Sequence, residues 1–282
     1  MTDWFDLGGI SARVISGGRF RLDGGAMFGI IPRVLWQRTD PPDDQHRVQL
    51  DSNCVLVRTR DSLVLIETGW GNKLPTKQQG QIALETGVTI RTRLEIAGVG
   101  VDEIDCVLLS HLHMDHVGGA SEIDADGNIA PVFPRARYVV QRGEWNDALA
   151  NRSIMRVSYL PDNLHPLEAS GRLRLLDGED EVVNGVSVCL APGHTRYHQT
   201  VHVQGANRRL VFAGDVLPTW SHIPGPYNMA YDMVLYDNML QKLQLLHSAS
   251  KNGWFVVTSH DAKVPIGLVE REGDARYRVT PP

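Results

Sequence analysis

The sequence predicts an α+β protein in which two halves share one core. Two observations carry that expectation. Strand-like runs, then a helical stretch, then strands again occur twice along the chain, and elements ordered that way pack as layers around a common core. Several of the apolar runs also stop abruptly at a glycine, a histidine or an acid, as buried strands do where they open onto functional loops. The halves divide into residues of about 1–135 and 136–282 within a single domain, and a hydrophobic content of 42% over 282 residues is enough for a sizeable core.

Residues 1–70 read as strands and turns. Ala12–Ser16 alternates, and Arg19–Leu22 follows a Gly-Gly turn. Ala26–Pro32, with Gly and Pro at its ends, reads as a loop with apolar side chains, and Asn53–Arg58 and Leu63–Ile66 form a hairpin. Residues 73–100 are the first helical region, with Ile90, Leu94, Ile96 and Ala97 on its apolar side and Gly98 as its stop. The stretch 121–135 is a surface loop, Arg137–Val140 a strand and Glu144–Ala150 a short helix. In the second half, strands are expected at Leu173–Leu176, Val186–Leu190, Thr200–Val203, Leu210–Ala213 and Trp254–Thr258. A helix over about Asn238–His247 carries Leu240, Leu243 and Leu246 on one face.

Composition excludes several classes. A net charge of −5 without a run of Lys or Arg argues against a nucleic-acid surface. No stretch approaches the roughly 20 apolar residues of a membrane span. The start Met1-Thr2-Asp3-Trp4-Phe5-Asp6 lacks the basic end and apolar core of a secretory signal, and we expect a cytoplasmic protein. Cys54, Cys106 and Cys189 each lie in a strand-like run, share no ligand spacing and read as reduced core residues.

The chemistry concentrates in His111-Leu112-His113-Met114-Asp115-His116. This cluster follows the strand-like run ending at Ser110, and three further runs open at His194, Asp215 and His260. Strand ends at one sheet edge converge, so ligands distant in sequence can meet there. Imidazole and carboxylate without thiolate suit zinc first, and manganese or iron after it. Five histidines and two aspartates exceed the needs of one tetrahedral ion. Two divalent ions sharing a bridging carboxylate account for all seven.

These residues resemble the ordered motifs of the metallo-β-lactamase superfamily: His111-x-His113-x-Asp115-His116, then Pro192-Gly193-His194-Thr195, Gly214-Asp215 and His260-Asp261. The resemblance runs from about residue 53 to 261 and implies a four-layer αββα sandwich with a metal centre at one edge of the sheets. It implies that His111, His113 and His194 hold one metal, that Asp115, His116 and His260 hold the other, and that Asp215 bridges them. Glu67 stands where the family usually has Asp. Secreted β-lactamases generally lack a bridge like Asp215, and the flavodiiron branch usually has Glu at the position of His113. Nucleases of the superfamily carry additional parts, and glyoxalase II-like thioesterases add a C-terminal domain for which only about twenty residues follow His260. The lactonases and related esterase-like hydrolases remain. Pro192-Gly193-His194-Thr195 with His198-Gln199 is similar to their PGHTxxHQ signature, and Leu22–Gly29 to a segment of many such members. The Tyr that often follows the bridging Asp in quorum-quenching lactonases is missing from Asp215-Val216-Leu217-Pro218-Thr219-Trp220.

The resemblance thus implies a dinuclear metal-dependent hydrolase that opens a lactone or cleaves a carboxylic ester with a metal-bridging hydroxide. Two such metals would lower the pKa of a shared water toward neutrality and polarise the carbonyl, and Asp115 would pass a proton to the leaving alkoxide. Met27, Phe28, Trp220, His222, Tyr227 and Tyr231 are expected at the substrate, with His222 or Tyr231 replacing the missing Tyr. His198, His202 and Asp261 are placed behind the ligands or on strands, and His46, His165 and His247 at the surface. The expected partner is a small lactone or ester, with no nucleic acid or membrane, and a homodimer is allowed. The same centre would also support phosphotriester hydrolysis or hydrolytic aryl dehalogenation, and a metal-containing binding or sensor protein is the alternative without turnover.

Overall fold

The apolar alternation of residues 47–66 builds the centre of the first sheet. The computed structural model describes residues 2–152, 156–273 and 276–281, so Met1 lies outside the described residues. The sheet begins with β1 (Phe5–Asp6), β2 (Ser11–Asp23), β3 (Arg47–Arg58) and β4 (Leu63–Ile66), each antiparallel to the strand before it. It continues through β5 (Cys106–Leu108), then passes a separate ribbon of β6 (Ser121–Ile123) and β7 (Ile129–Pro131). It ends with β8 (Arg137–Gln141) and β9 (Leu173–Leu176), and every pairing from β4 onward is parallel. The second sheet holds β10 (Asp180–Val183), β11 (Val186–Leu190), β12 (Gln199–Gln204), β13 (Arg209–Phe212), β14 (Phe255–Val257), β15 (Ile266–Gly273) and β16 (Arg276–Thr280) in chain order. Among the described residues only β13–β14 is parallel there. The chain crosses between sheets at residues 177–179, so the expected midpoint near 135 lies within the first sheet, before β8 and β9.

Between the sheets lies an aliphatic layer. Val55, Val57, Val64 and Ile66 from the first meet Val188, Val201, Val203 and Phe212 from the second, and each such buried side chain contributes roughly 1.5–3 kcal/mol. Helices cover the outer faces. On the first sheet they include α4 (Ile90–Ile96), α6 (Arg142–Ala150) and α7 (Pro161–Ala169), seated through Leu94, Trp145 and Leu167. The second is covered by α8 (Leu235–Asn252) through Leu245, Leu246 and Ala249. The shorter helices are α1 (Gly24–Phe28), α2 (Arg33–Trp36), α3 (Thr76–Gln81) and α5 (Met114–Val117). Together these layers form the αββα sandwich. Among the described residues, no helix is long and apolar enough to cross a membrane.

Several elements differ from the expectation. Gly17-Gly18 makes no turn; it is a bulge inside β2, whose register shifts between Ser16 and Arg19. A Cβ on Gly17 would lie 2.7 Å from the Cα of Gly69, so the close approach requires glycine. The loop expected over 26–32 starts as α1, because Asp23 accepts the Ala26 N–H at 2.8 Å and caps it. The helical region 73–100 is two short helices, α3 and α4. In α8 Leu240 is 44% exposed, and the buried stripe runs Asn238, Lys242, Leu245, Leu246, Ala249. The two polar members have partners in the preceding loop, which rotates the buried face away from Leu240. Expected positions His46, His165 and His247 are exposed.

Candidate metal centre

Parallel pairing sets the site. The C-terminal ends of β4, β5 and β8 point to one edge, as do those of β13 and β14, and open sheets place their functional groups at such ends. β5 leads through Leu109 and Ser110 into His111 and His113, and α5 carries Asp115 and His116. β11, β13 and β14 lead to His194, Asp215 and His260. The edges are stitched together where Asp51 N–H donates to the His260 carbonyl at 3.1 Å and Asn53 N–H to that of Ser259 at 2.7 Å.

All seven expected ligand residues meet. Nδ1 of His113 lies 3.1 Å from Nε2 of His111 and 3.0 Å from Nε2 of His194. Asp215 Oδ2 lies 3.3 Å from that same His194 nitrogen. Its Oδ1 lies 3.4 Å from His116 Nε2 and 3.1 Å from His260 Nε2. Asp115 Oδ2 faces the same two nitrogens at 3.7 and 3.6 Å. Among the described residues, three trios could hold an ion: His111, His113 and His194; His111, His116 and Asp215; Asp115, His116 and His260. Three imidazole nitrogens, those of His111, His113 and His194, converge on one point, and buried His116 Nε2 has no hydrogen-bond partner among the described residues. Convergent lone pairs from imidazole and carboxylate fit divalent cations of the zinc type.

Each ring is held from behind. The His194 Nδ1 proton points to Asp232 Oδ1 at 2.9 Å, and the His260 Nδ1 proton to the Asp51 carbonyl at 3.0 Å. Ser110 Oγ lies 3.0 Å from His111 Nδ1. Glu67, in the left-handed region at φ 63°, accepts the Ser110 N–H at 2.6 Å, and its other oxygen lies 3.2 Å from His116 Nδ1. Glu in place of Asp therefore keeps a carboxylate against the His116 ring. Ser259 Oγ donates to Asp215 Oδ1 at 2.7 Å. Buried Glu144 accepts the Leu112 N–H and the Tyr159 hydroxyl, each at 3.1 Å, bracing the segment between His111 and His113.

Protonation follows burial and charge. Burial, with neighbouring imidazoles adding to it, holds His111 and His113 well below the usual histidine range. Burial also opposes charge on His116, but Asp215, Asp115 and Glu67 outweigh it and hold its pKa well above 6.5. In the same way, burial is outweighed at His194 by Asp215 and Asp232, and at His260 by Asp215 and Asp115. Asp215, despite burial, is held well below the carboxylate range by His260, His116 and His194. A cation must therefore displace protons from this cluster to enter it.

A cavity of about 170 Å³ opens on the cluster, walled by Leu22, Met27, Trp70, Met114, Val157, Met229 and Tyr231. Of the expected substrate residues, Met27 and Tyr231 line it. Burial, with Asp23 and Asp115 adding, pushes the Tyr231 phenol up to about 12, so it stays a donor at neutral pH. The others are engaged elsewhere. Phe28 stacks on Trp36 and on His222, with centroids 5.3 and 4.8 Å apart, and Tyr227 meets its edge. His222 is bonded at both nitrogens, to the Met27 carbonyl and to Thr219 Oγ1, each at 2.8 Å. Trp220 donates Nε1–H to the Val264 carbonyl at 2.6 Å. Asp261 anchors its own loop by accepting Lys263 and Val264 N–H groups, and His202 bonds Thr200 on its strand. Sequence reasoning missed Asp232 and Glu144. Their signal was faint: one acid in the apolar run Met229-Ala230-Tyr231-Asp232-Met233, and one at a helix start beside Trp145.

The Metallo-beta-lactamase superfamily sequence model matches residues 47–260. An N-acyl homoserine lactonase of Bacillus thuringiensis is 26% identical over 161 residues, 54% of this chain and 57% of that protein. A solved structure of a probable metal-dependent hydrolase from Staphylococcus aureus superposes with a TM-score of 0.89 at 25% identity, over 98% of this chain and 99% of that one. AidC, a dizinc quorum-quenching lactonase solved with a product, superposes with a TM-score of 0.81 at 20% identity, over 99% and 97%.

Proposed function

This chain belongs to the metallo-beta-lactamase superfamily, and from that premise we propose that it is a dinuclear metal-dependent hydrolase that opens a lactone or cleaves a neutral carboxylic ester. The observation that carries the reading is the division of the donors about Asp215. One of its oxygens faces His194 in the group with His111 and His113, and the other faces His116 and His260 beside Asp115. His111, His113 and His194 would hold one cation and Asp115, His116 and His260 the other, with Asp215 shared. Zinc suits these donors first, and manganese or iron follow. Such a pair supplies an activated water at neutral pH and a Lewis acid for the carbonyl.

The chain's own side chains do the rest. Asp115 lines the cavity and faces the ligand nitrogens with one oxygen. It orients the attacking water, takes its proton and delivers that proton to the leaving alkoxide, which in a lactone stays attached as the hydroxyl of a hydroxy acid. Tyr231, protonated and at the cavity wall, donates to the carbonyl oxygen as charge develops there. Among the described residues lining the cavity, Asp115 and Asp215 are the acids and none is Lys or Arg, which favours an uncharged, apolar substrate. The chain would work as one domain, because the proposed ligands come from both sheets.

The test is to strip the chain of metal, reload it with zinc, manganese or iron, and assay an aliphatic lactone, an aryl ester and a phosphotriester. About two metal equivalents and turnover of lactone or ester are expected. Activity on the phosphotriester alone would reject the substrate class, and metal binding without any hydrolysis would reject the enzyme.

A further inference from the structure

Asp232 lies outside the expected ligand set, yet its side chain is fully buried and meets three donors. Oδ1 takes the Nδ1 proton of His194 at 2.9 Å. Oδ2 takes the backbone N–H of Met229 and the Nδ2–H of Asn238, each at 3.0 Å. Met229 is part of the cavity wall, as is Tyr231 one residue before Asp232. A single carboxylate thus joins a ligand histidine to the surface that faces the substrate. Only a carboxylate can do so, since it accepts at both oxygens, whereas an amide offers one acceptor and turns N–H groups toward the remaining donors.

The segment around Asp232 is built to transmit that link. Behind it, Lys242 Nζ donates to the Pro224 carbonyl, the Tyr227 carbonyl and Asn228 Oδ1 at 3.2, 2.5 and 3.1 Å. Beyond it, the N–H groups of Met233 and Val234 bond the carbonyls of His194 and Gly193 at 3.1 and 2.8 Å. A side chain at Gly193 would collide with the backbone of Asn238, so the His194 turn packs directly on the start of α8. Ala230 N–H bonds the Ala26 carbonyl at 2.8 Å, carrying the link to the neighbour of Met27.

We infer that Asp232 is a positioning residue that sets the His194 side of the metal centre and the Met229–Tyr231 wall of the substrate cavity together, so that filling the metal position containing His194 tightens that wall. The inference rests on the reading of His194 as a ligand. A cation at Nε2 would fix the imidazole more firmly in the orientation that keeps its Nδ1 proton on Asp232, and so would firm the carboxylate that also holds Met229 and Asn238.

Hydrogen exchange on the wild-type chain, metal-free and zinc-loaded, gives the first test. Loading should slow exchange of the Met229 amide, and equal exchange in both forms overturns the inference. Metal titration and kinetics on Asp232→Asn give the second. One of two zinc equivalents should weaken by ~10–100-fold while the other holds, and KM should rise at saturating zinc. Two equivalents at wild-type affinity with unchanged KM overturn the role of Asp232 while leaving the metal reading intact. A wild-type chain that binds no metal overturns that reading first. Lys242→Met separates the two ends: it should raise KM with both zinc affinities unchanged. If it weakens zinc as Asp232→Asn does, general loosening of the loop explains both, and Asp232 has no special role.

Discussion

The backbone N–H of Asp215 donates to Nε2 of His198 at 3.1 Å. A buried imidazole therefore sets the height of the carboxylate that faces both halves of the ligand cluster. Burial, with the charge of His194 adding, holds His198 down to about 3, so it is neutral and free to accept. The ring fits only because residue 214 is glycine at φ 54°, where a Cβ would strike it. His198→Ala should weaken both metal equivalents by ~10–100-fold, in contrast to the one-sided loss expected of Asp232→Asn. Titration with a competing chelator reads the difference, and loss at one position alone would contradict it.

Asp115→Asn removes the proposed base and leaves the residue's shape. At saturating zinc, kcat should fall by ~10²–10⁴ while KM moves little. A fully loaded variant with wild-type kcat would mean that protons travel by another route.

Tyr231→Phe deletes the cavity-wall hydroxyl. Metal content should be unchanged and kcat should drop by ~10². A change confined to KM would reassign Tyr231 to binding alone.

His222 gives a pH dependence. Burial pushes it to about 4 in the fold, from an ordinary 6.5. Between those values the unfolded chain binds a proton that the folded chain does not, so stability falls as pH drops from 6.5 to 4. The full shift corresponds to roughly 3 kcal/mol. Gln at this position can still donate to the Met27 carbonyl and accept from Thr219. His222→Gln should therefore flatten the slope of unfolding free energy against pH by up to one proton in that window, as read by denaturant titration. Parallel slopes would show that His222 titrates normally.

The residues that converge at the candidate metal centre and the main strands were legible in sequence because each marks a local transition. Val107-Leu108-Leu109 ends at Ser110, and imidazoles follow at once. The residues that orient the ligands were less legible. Asp232 meets His194 across 38 residues and Glu67 meets Ser110 across 43, and no spacing rule connects such partners. Aromatic identity alone does not place a side chain on the cavity. Phe28, Trp220 and His222 lie near the cavity in sequence, yet they spend their faces and polar atoms on one another and on backbone carbonyls. Gly17-Gly18 looked like a turn because a bulge uses the same residues as one. The C-terminal pair β15 and β16 carries no motif that marks it in sequence.

The crossing between sheets at residues 177–179 has a consequence for biosynthesis. When the first sheet has left the ribosome, His111, His113, Asp115 and His116 have been made, but His194, Asp215 and His260 have not. The inner face of that sheet, with Val55, Val57, Val64 and Ile66, then has no partner to cover it. A nascent chain paused there carries a naked apolar surface beside an incomplete chelator. Slow translation after Leu176, or a shortage of chaperone, should therefore send the product into inclusion bodies more readily than a shortage of metal does, because metal has a complete site to fill only once the second sheet has docked.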